Sequence, residues 1–175
     1  MATQYSEIRS AHQALIEKSP IFFVGTAAAE GRVNVSPKGR DSLRVLGPNR
    51  IIWFNLTGSG NETAGHLLQI PRMTLMWCDF NGPPMILRCF GTARAVHPGD
   101  PDWDELSGHF DPDPAMRQVF DLDIDLVQQS CGLAVPLMDY REDRDGLEKW
   151  ANGKGPNGLH AYREKKNLET IDGFP

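Results

Sequence analysis

Apolar residues in this chain gather into short runs separated by glycine, proline and asparagine clusters, and helical spacing shows mainly towards the two ends. Ile21 to Ala28 runs almost without a polar residue, and Glu30-Gly31 turns it into the alternating stretch Arg32 to Ser36, which predicts a hairpin whose first strand is buried on both faces. Leu43 to Leu46 and Ile51 to Phe54 pair around Gly47-Pro48-Asn49 as a second hairpin. Met73 to Asp79 and Met85 to His97 make a third around Asn81-Gly-Pro-Pro84, and a last long strand is predicted from Asp123 to Pro136. At the start, Ser6 reads as a helix cap, with a stripe of Ile8, Ala11, Leu15 and Ile16 that stops at Ser19-Pro20. A short helix is expected over about 61–70, helical fragments around Trp103–Phe110 and Ala115–Phe120, and two helical pieces, Asp143–Trp150 and Asn157–Lys166, flanking Gly153-Lys-Gly-Pro156.

Six or seven strands in successive hairpins describe a mainly β protein, an antiparallel barrel with peripheral helices. The expected organisation is one split-barrel domain over residues 1–175, with an N-terminal helix at about 6–18 and a C-terminal helical tail at about 142–166. Strands as apolar as 21–28 and 51–54 need cover on both sides. The barrel interior supplies one cover and a second subunit the other, so a homodimer is expected with these strands near its interface.

The stretch from Arg50 to Thr63 carries the clearest chemistry. An apolar strand breaks into Thr57-Gly-Ser-Gly60, and a helix begins at about Asn61. Free N–H groups and the helix dipole favour an anion there, so the loop is a candidate phosphate site. It is not a P-loop, because Asn61 and Glu62 stand where Lys and Ser or Thr are needed. Nor does Gly58-Ser-Gly60 complete a dinucleotide fingerprint: Thr63 occupies the third glycine position, the helix stops before Pro71, and no second helix-strand pair follows, although Asp79 lies at the expected distance.

Length suffices for a core without disulfides or a metal, and a net charge of −5 with 23% charged residues is ordinary for a globular protein. That charge is uneven. Arg32, Lys38, Arg40, Arg44 and Arg50 face only Asp41 within their stretch, a block suited to an anionic ligand; Asp100 to Asp125 holds nine acids against Arg117 alone and reads as a solvated face. This balance argues against nucleic acid as a partner. Cys78, Cys89 and Cys131 are odd in number and widely spaced, as for reduced thiols in a cytoplasm, and neither a signal core nor a run of ~18 apolar residues points to a membrane. His12, His66, His97, His109 and His160 show no ligand spacing for zinc or haem, Asp121-Leu-Asp-Ile-Asp125 lacks the glycine and closing Glu of a calcium loop, and no nucleophile elbow occurs.

Four segments in order, Arg32-Val-Asn-Val-Ser-Pro-Lys-Gly39, Ile52-Trp-Phe-Asn-Leu-Thr-Gly-Ser-Gly-Asn61, Ile70-Pro-Arg-Met-Thr-Leu-Met-Trp77 and Ile86-Leu-Arg-Cys-Phe-Gly-Thr-Ala93, resemble the pyridoxamine 5'-phosphate oxidase-like, FMN-binding split-barrel family. The resemblance covers roughly residues 5–140, and Ser130 to Pro136 with the basic tail resembles a subgroup other than the true oxidases. It implies a six-stranded split barrel, a two-fold dimer and FMN held between subunits. By the same resemblance Ser36 and Lys38 lie on the strand whose end faces the flavin, Asn55, Thr57, Gly58, Ser59 and Asn61 belong to the loop that receives the FMN phosphate, and Arg88 is an inward-facing basic position. The true oxidases carry an Arg-Lys pair where this chain has Gly60 and Asn61, and their C-terminal Trp and Arg motif is not recognisable, so phosphate binding falls to hydroxyls, amides and Lys38 or Arg72.

Read without the resemblance, Lys38 is a solvated turn charge, Thr57 and Ser59 are turn or cap residues, Asn61 is an N-cap, and Trp53 and Trp77 are core or interface aromatics. The functional expectation is an FMN-dependent oxidoreductase. Its alternatives are a flavin-binding or sensing protein without turnover, and a split barrel that binds deazaflavin or haem.

Overall fold

The computed structural model describes residues 2–175. Among them are eight strands, β1 (Thr3–Tyr5), β2 (Ile21–Thr26), β3 (Asn34–Gly39), β4 (Leu43–Gly47), β5 (Arg50–Leu56), β6 (Arg72–Cys78), β7 (Met85–Val96) and β8 (Met116–Cys131). Four helices accompany them: α1 (Ser10–Lys18), α2 (Glu62–Gln69), α3 (Trp103–Ser107) and α4 (Gly146–Lys166). All pairings are antiparallel, in the order β3-β2-β6-β7-β8-β5-β4, with β1 added against β8.

That order forces the sheet to curl. β3 and β4 are consecutive in the chain yet lie at opposite ends of the strand path, and only Arg40, Asp41 and Ser42 separate them. Four Cα steps reach at most about 15 Å, so the two edges must come together and leave a narrow seam. Several contacts fix the crossing: Ser42 Oγ donates to Gly39 O at 2.9 Å, Phe54 N donates to Ser42 O at 2.9 Å, and Arg40 pairs with Asp113 at 3.0 Å and Glu148 at 3.2 Å. Arg40 takes φ 61°, a left-handed conformation uncommon outside glycine. The split antiparallel barrel is therefore as expected, with eight strands where the resemblance implies six.

Within the barrel, Phe22, Trp53, Trp77 and Phe120 form an aromatic core with ring centroids 4.4 to 6.1 Å apart. Trp53 and Trp77 are core residues, and burial of each large side chain contributes roughly 2–3 kcal/mol. β2 alternates buried and half-buried positions, so it is not enclosed on both faces as expected. β5 is enclosed, but by its own chain: Ile51 and Trp53 enter the barrel core while Ile52 and Phe54 pack with Leu106, Phe110 and Val119 around α3. The expectation that a second subunit covers residues 51–54 is thereby corrected.

Other differences have local causes. Residues 6–8 do not start α1; Ser6 O accepts from Asn49 Nδ2 and Ile8 N donates to Pro48 O, tying them to the β4–β5 turn. The helix expected over Ala115–Phe120 does not form; Ala115 lies in a turn and Met116–Phe120 open β8, where burial of consecutive residues hides the strand alternation. Asp121, expected in a solvated acidic face, is buried; burial opposes its ionisation, but hydrogen bonds from Arg50 and Arg94 hold its carboxyl below the usual range. α4 breaks at Gly155, φ 64°, just before Pro156, at the predicted interruption.

Gly91 marks a bulge between β7 and β8, where a Cβ would overlap the Asp123 carbonyl. Gly91→Ala is expected to lower unfolding free energy by about 3 kcal/mol in denaturant titration, an overpacking cost; a loss under about 0.5 kcal/mol would show that the β7–β8 backbones separate freely there.

Candidate functional site

The seam brings a polar face of β3 against the loop between β5 and α2. Asn34, Ser36 and Lys38 share one face of β3 by strand alternation. Asn34 Nδ2 approaches Thr63 Oγ1 at 3.3 Å, and Lys38 Nζ donates to Asn55 Oδ1 at 3.3 Å while lying 5.4 Å from the Trp53 ring. Lys38 is thus a half-buried strand residue, not a solvated turn charge. Asn55 pairs across the sheet with Gln118, whose Nε2 donates to Asn61 Oδ1 at 2.9 Å. Asn61 sits at the N-cap of α2, but its side chain is committed to Gln118 instead of capping; its carbonyl accepts from Ala64 N and Gly65 N.

α4 closes the other side. Leu159 and Ala151 pack on Ala115 beside Leu56, which delivers the end of the helix to the loop. Arg163 Nε donates to Thr57 Oγ1 at 2.9 Å, and Thr57 Oγ1 in turn donates to Ala115 O at 2.9 Å. That hydroxyl is fully used by the fold. Arg117 Nη2 donates to Gly60 O at 3.3 Å and its Nη1 to Asn167 Oδ1 at 2.6 Å, while Asn167 Nδ2 donates to Gly58 O at 3.0 Å.

Lys38, Arg117 and Arg163 therefore surround one loop with only neutral acceptors, and none of them pairs with a carboxylate among the described residues. Burial, then the Arg117 charge, pulls the Lys38 ammonium down to about 8. Burial followed by Arg163 lowers Arg117 to about 10, and burial lowers Arg163. Unspent polar atoms point to a missing partner: Ser36 Oγ, Trp53 Nε1, Arg117 Nε and Gln118 Oε1 are buried without a hydrogen bond. The N–H groups of Gly58, Ser59, Gly60 and Asn61 likewise donate to no acceptor among the described residues. Cations, free amides and the start of α2 together suit a dianion of phosphate size. Two clefts flank the seam, one of 580 Å³ beside Ser59, Gly60 and Ile171, and an open one of 1760 Å³ reached by Lys38, Phe23, Trp77 and Tyr140.

Of the residues expected at the site, the structure gathers Ser36, Lys38, Asn55, Thr57, Gly58, Ser59 and Asn61. It does not bring in two others. Arg72 is exposed at the start of β6, beyond the far end of α2, and Arg88 faces outward between buried Leu87 and Cys89, where Nη1 donates to Ser130 Oγ at 3.3 Å. The inward orientation implied for Arg88 is corrected by that alternation. Sequence reasoning missed Arg117, Gln118, Arg163 and Asn167. Arg117 had one signal, its isolation among nine acids; the other three had none, since Arg163 and Asn167 are contributed from more than a hundred residues beyond the loop.

A split barrel with an anion-suited seam beside the β5–α2 loop defines the class, and comparison with known proteins gives the family. The profile described as pyridoxamine 5'-phosphate oxidase matches residues 8–131, and the chain belongs to that family. It is 36% identical over 176 residues to the pyridoxamine 5'-phosphate oxidase family protein ustO of Aspergillus flavus, covering 90% of this chain and 71% of that one. Among solved structures it resembles a candidate pyridoxamine 5'-phosphate oxidase from Lactobacillus delbrueckii, with TM-score 0.56 and 18% identity over 70% of this chain and 94% of that one. It also resembles a pyridoxamine 5'-phosphate oxidase-related, FMN binding protein from Nostoc punctiforme, with TM-score 0.50 and 15% identity over 69% and 82% of the two chains. At these identities the structural likenesses speak for the fold.

Because the folded pKa of Lys38 lies near 8, below its ordinary 10.5, the charged form carries a folding cost below pH 8 that is relieved as pH rises from 8 towards 10.5. An anion in the seam reverses that depression. Above pH 8 the free protein must take up a proton to bind it, so phosphate affinity by titration calorimetry, reckoned per phosphate dianion, is expected to be level from pH 7 to 8 and to fall by up to about tenfold per unit above it. Constant affinity to pH 10 would put the bound anion away from Lys38.

Proposed function

We propose that the protein is an FMN-dependent oxidoreductase that binds the flavin phosphate in the seam between β3 and the β5–α2 loop. The observation that carries this reading is that Lys38, Arg117 and Arg163 pair with no carboxylate among the described residues, beside four loop N–H groups that find no acceptor there; Glu62, the carboxylate at the loop, accepts from Ile171 N. A monoester dianion answers both. The amides from Gly58 to Asn61 donate to it, Lys38 and Arg117 neutralise it, and Arg163 holds the loop shape through Thr57. Ser36 Oγ and Trp53 Nε1, on the same strands as Lys38 and Asn55, are buried without a hydrogen-bond partner among the described residues. Arg72 and Arg88, outside the seam, take no part.

Bound FMN supplies reversible redox chemistry that no side chain offers. The residues would position it, with Lys38 Nζ kept protonated by the phosphate that it neutralises. Gly60 and Asn61 in place of the Arg-Lys pair of true pyridoxamine phosphate oxidases set this chain apart from vitamin B6 oxidation.

A homodimer with the cofactor between subunits belongs to the same proposal, on different grounds from those the sequence suggested. β3 is an edge strand, and Val33 just before it and Val35 on it are 71% and 65% exposed, an apolar edge that a second copy would cover. A cytoplasmic setting agrees with Cys78, Cys89 and Cys131 all being free thiols.

FMN is expected to bind on the order of a hundredfold more tightly than riboflavin, and Lys38→Ala to cost FMN on the order of a hundredfold, the loss that a return of its pKa from about 8 towards 10.5 implies. Fluorescence quenching titrations measure both, and equal affinity for the two flavins would remove the phosphate from the seam. Bleaching of the bound flavin by NADPH or NADH under anaerobic conditions is the expected sign of an oxidoreductase; binding without reduction by either would leave a flavin-binding protein.

A further inference from the structure

Asn167 ends α4 with φ −126° and ψ 13°, and its carboxamide enters the seam instead of solvent. Its Oδ1 accepts from Arg117 Nη1 at 2.6 Å, its Nδ2 donates to Gly58 O at 3.0 Å, and Arg117 itself is only 6% exposed with Nε unpaired. An amide oxygen thus holds the position on the guanidinium that an anionic oxygen would take. The segment that follows lies across the same region. Ile171 N donates to Glu62 Oε2 at 3.1 Å, Asp172 pairs with Arg32, and the Thr170 methyl lies so close to Gly65 that a Cβ there would clash.

We propose that Asn167 is a built-in stand-in for a phosphate oxygen: a phosphate monoester entering the seam displaces its carboxamide from Arg117, so occupancy of the site is coupled to the docking of the C-terminal segment 167–175. The inference rests on the seam being a phosphate site and adds the residue that guards it. The exchange is favourable because a guanidinium bonds an oxyanion more strongly than a neutral carbonyl. It is also selective. A weakly charged or neutral oxygen gains little over the amide already there, so only a dianion opens the site.

The test uses the full chain and inorganic phosphate as probe, with FMN in a second arm. Asn167→Ala frees Arg117 and is expected to tighten phosphate binding by about tenfold, the loss of one competing hydrogen bond to a charged group. Asn167→Asp places a carboxylate on Arg117, at the loss of the hydrogen bond to Gly58 O, and is expected to abolish phosphate binding. In the wild type, phosphate should speed hydrogen exchange across 168–175. Unchanged or weaker phosphate binding in Asn167→Ala that still melts cooperatively overturns the proposal, as does wild-type phosphate affinity in Asn167→Asp. A purely structural Asn167 would lower the melting temperature of Asn167→Ala without tightening phosphate. Should phosphate follow the expected series while FMN and riboflavin bind alike, the stand-in is upheld and the flavin assignment fails; FMN bound well and equally by all three proteins upholds the flavin and removes the stand-in.

Discussion

Three cations, Lys38, Arg117 and Arg163, share one end of the barrel without a carboxylate among them, and the surrounding architecture is arranged to keep them there. Bringing Lys38 down to about 8 corresponds to a penalty of about 3 kcal/mol on its charged form. Such a cost persists in a fold where a ligand returns it, and the unpaired atoms nearby repeat the point: Arg117 Nε and Ser36 Oγ are buried donors with nothing to donate to. Elsewhere the chain does pair its buried charge, as at Asp121 between Arg50 and Arg94. The contrast between those two clusters is what supports the proposal of a binding site at the first.

Barrel topology is what places the cluster. Linking β3 to β4 across the open edges with three residues draws Lys38 over Trp53 and against Asn55, which no planar sheet would allow. β8, paired with β1, β5 and β7, is the strand on which the rest hangs, and its first turns carry Arg117 and Gln118 to the loop. α4 then adds a lateral wall whose apolar residues, Ala151 and Leu159, dock on Ala115 so that Arg163 and Asn167 arrive at fixed height.

Much of this was legible in the residues. Alternation and turn chemistry located the three hairpins, Pro71 ended α2, and Gly155-Pro156 broke α4 where the glycine and proline cluster lay. The four family segments led to β3 and the β5–α2 loop, the two walls of the seam. What escaped did so for physical reasons. Ala115–Phe120 is enclosed on both faces, so it lacks the two-residue period of a strand. Asn61 looked like a cap because caps are local, whereas its partner Gln118 comes from a strand distant in sequence. Arg117 was hidden in an acidic stretch yet bonds Asn167 and Gly60 instead of its neighbouring acids, and Arg163 and Asn167 reach the loop only through tertiary docking. Local pattern reports elements; it does not report which distant side chain an element will meet.

Lys38 reports most directly on the proposed binding of a phosphate monoester by the desolvated cations of the seam. With lysine carrying isotope-labelled side chains, an NMR pH titration of the Lys38 Nζ signal, identified by its loss in Lys38→Arg, is predicted to give a pKa near 8 in the free protein and a return towards 10.5 or above when FMN is bound. A Lys38 pKa near 10.5 in the free protein, or one near 8 that FMN leaves unmoved, would contradict it.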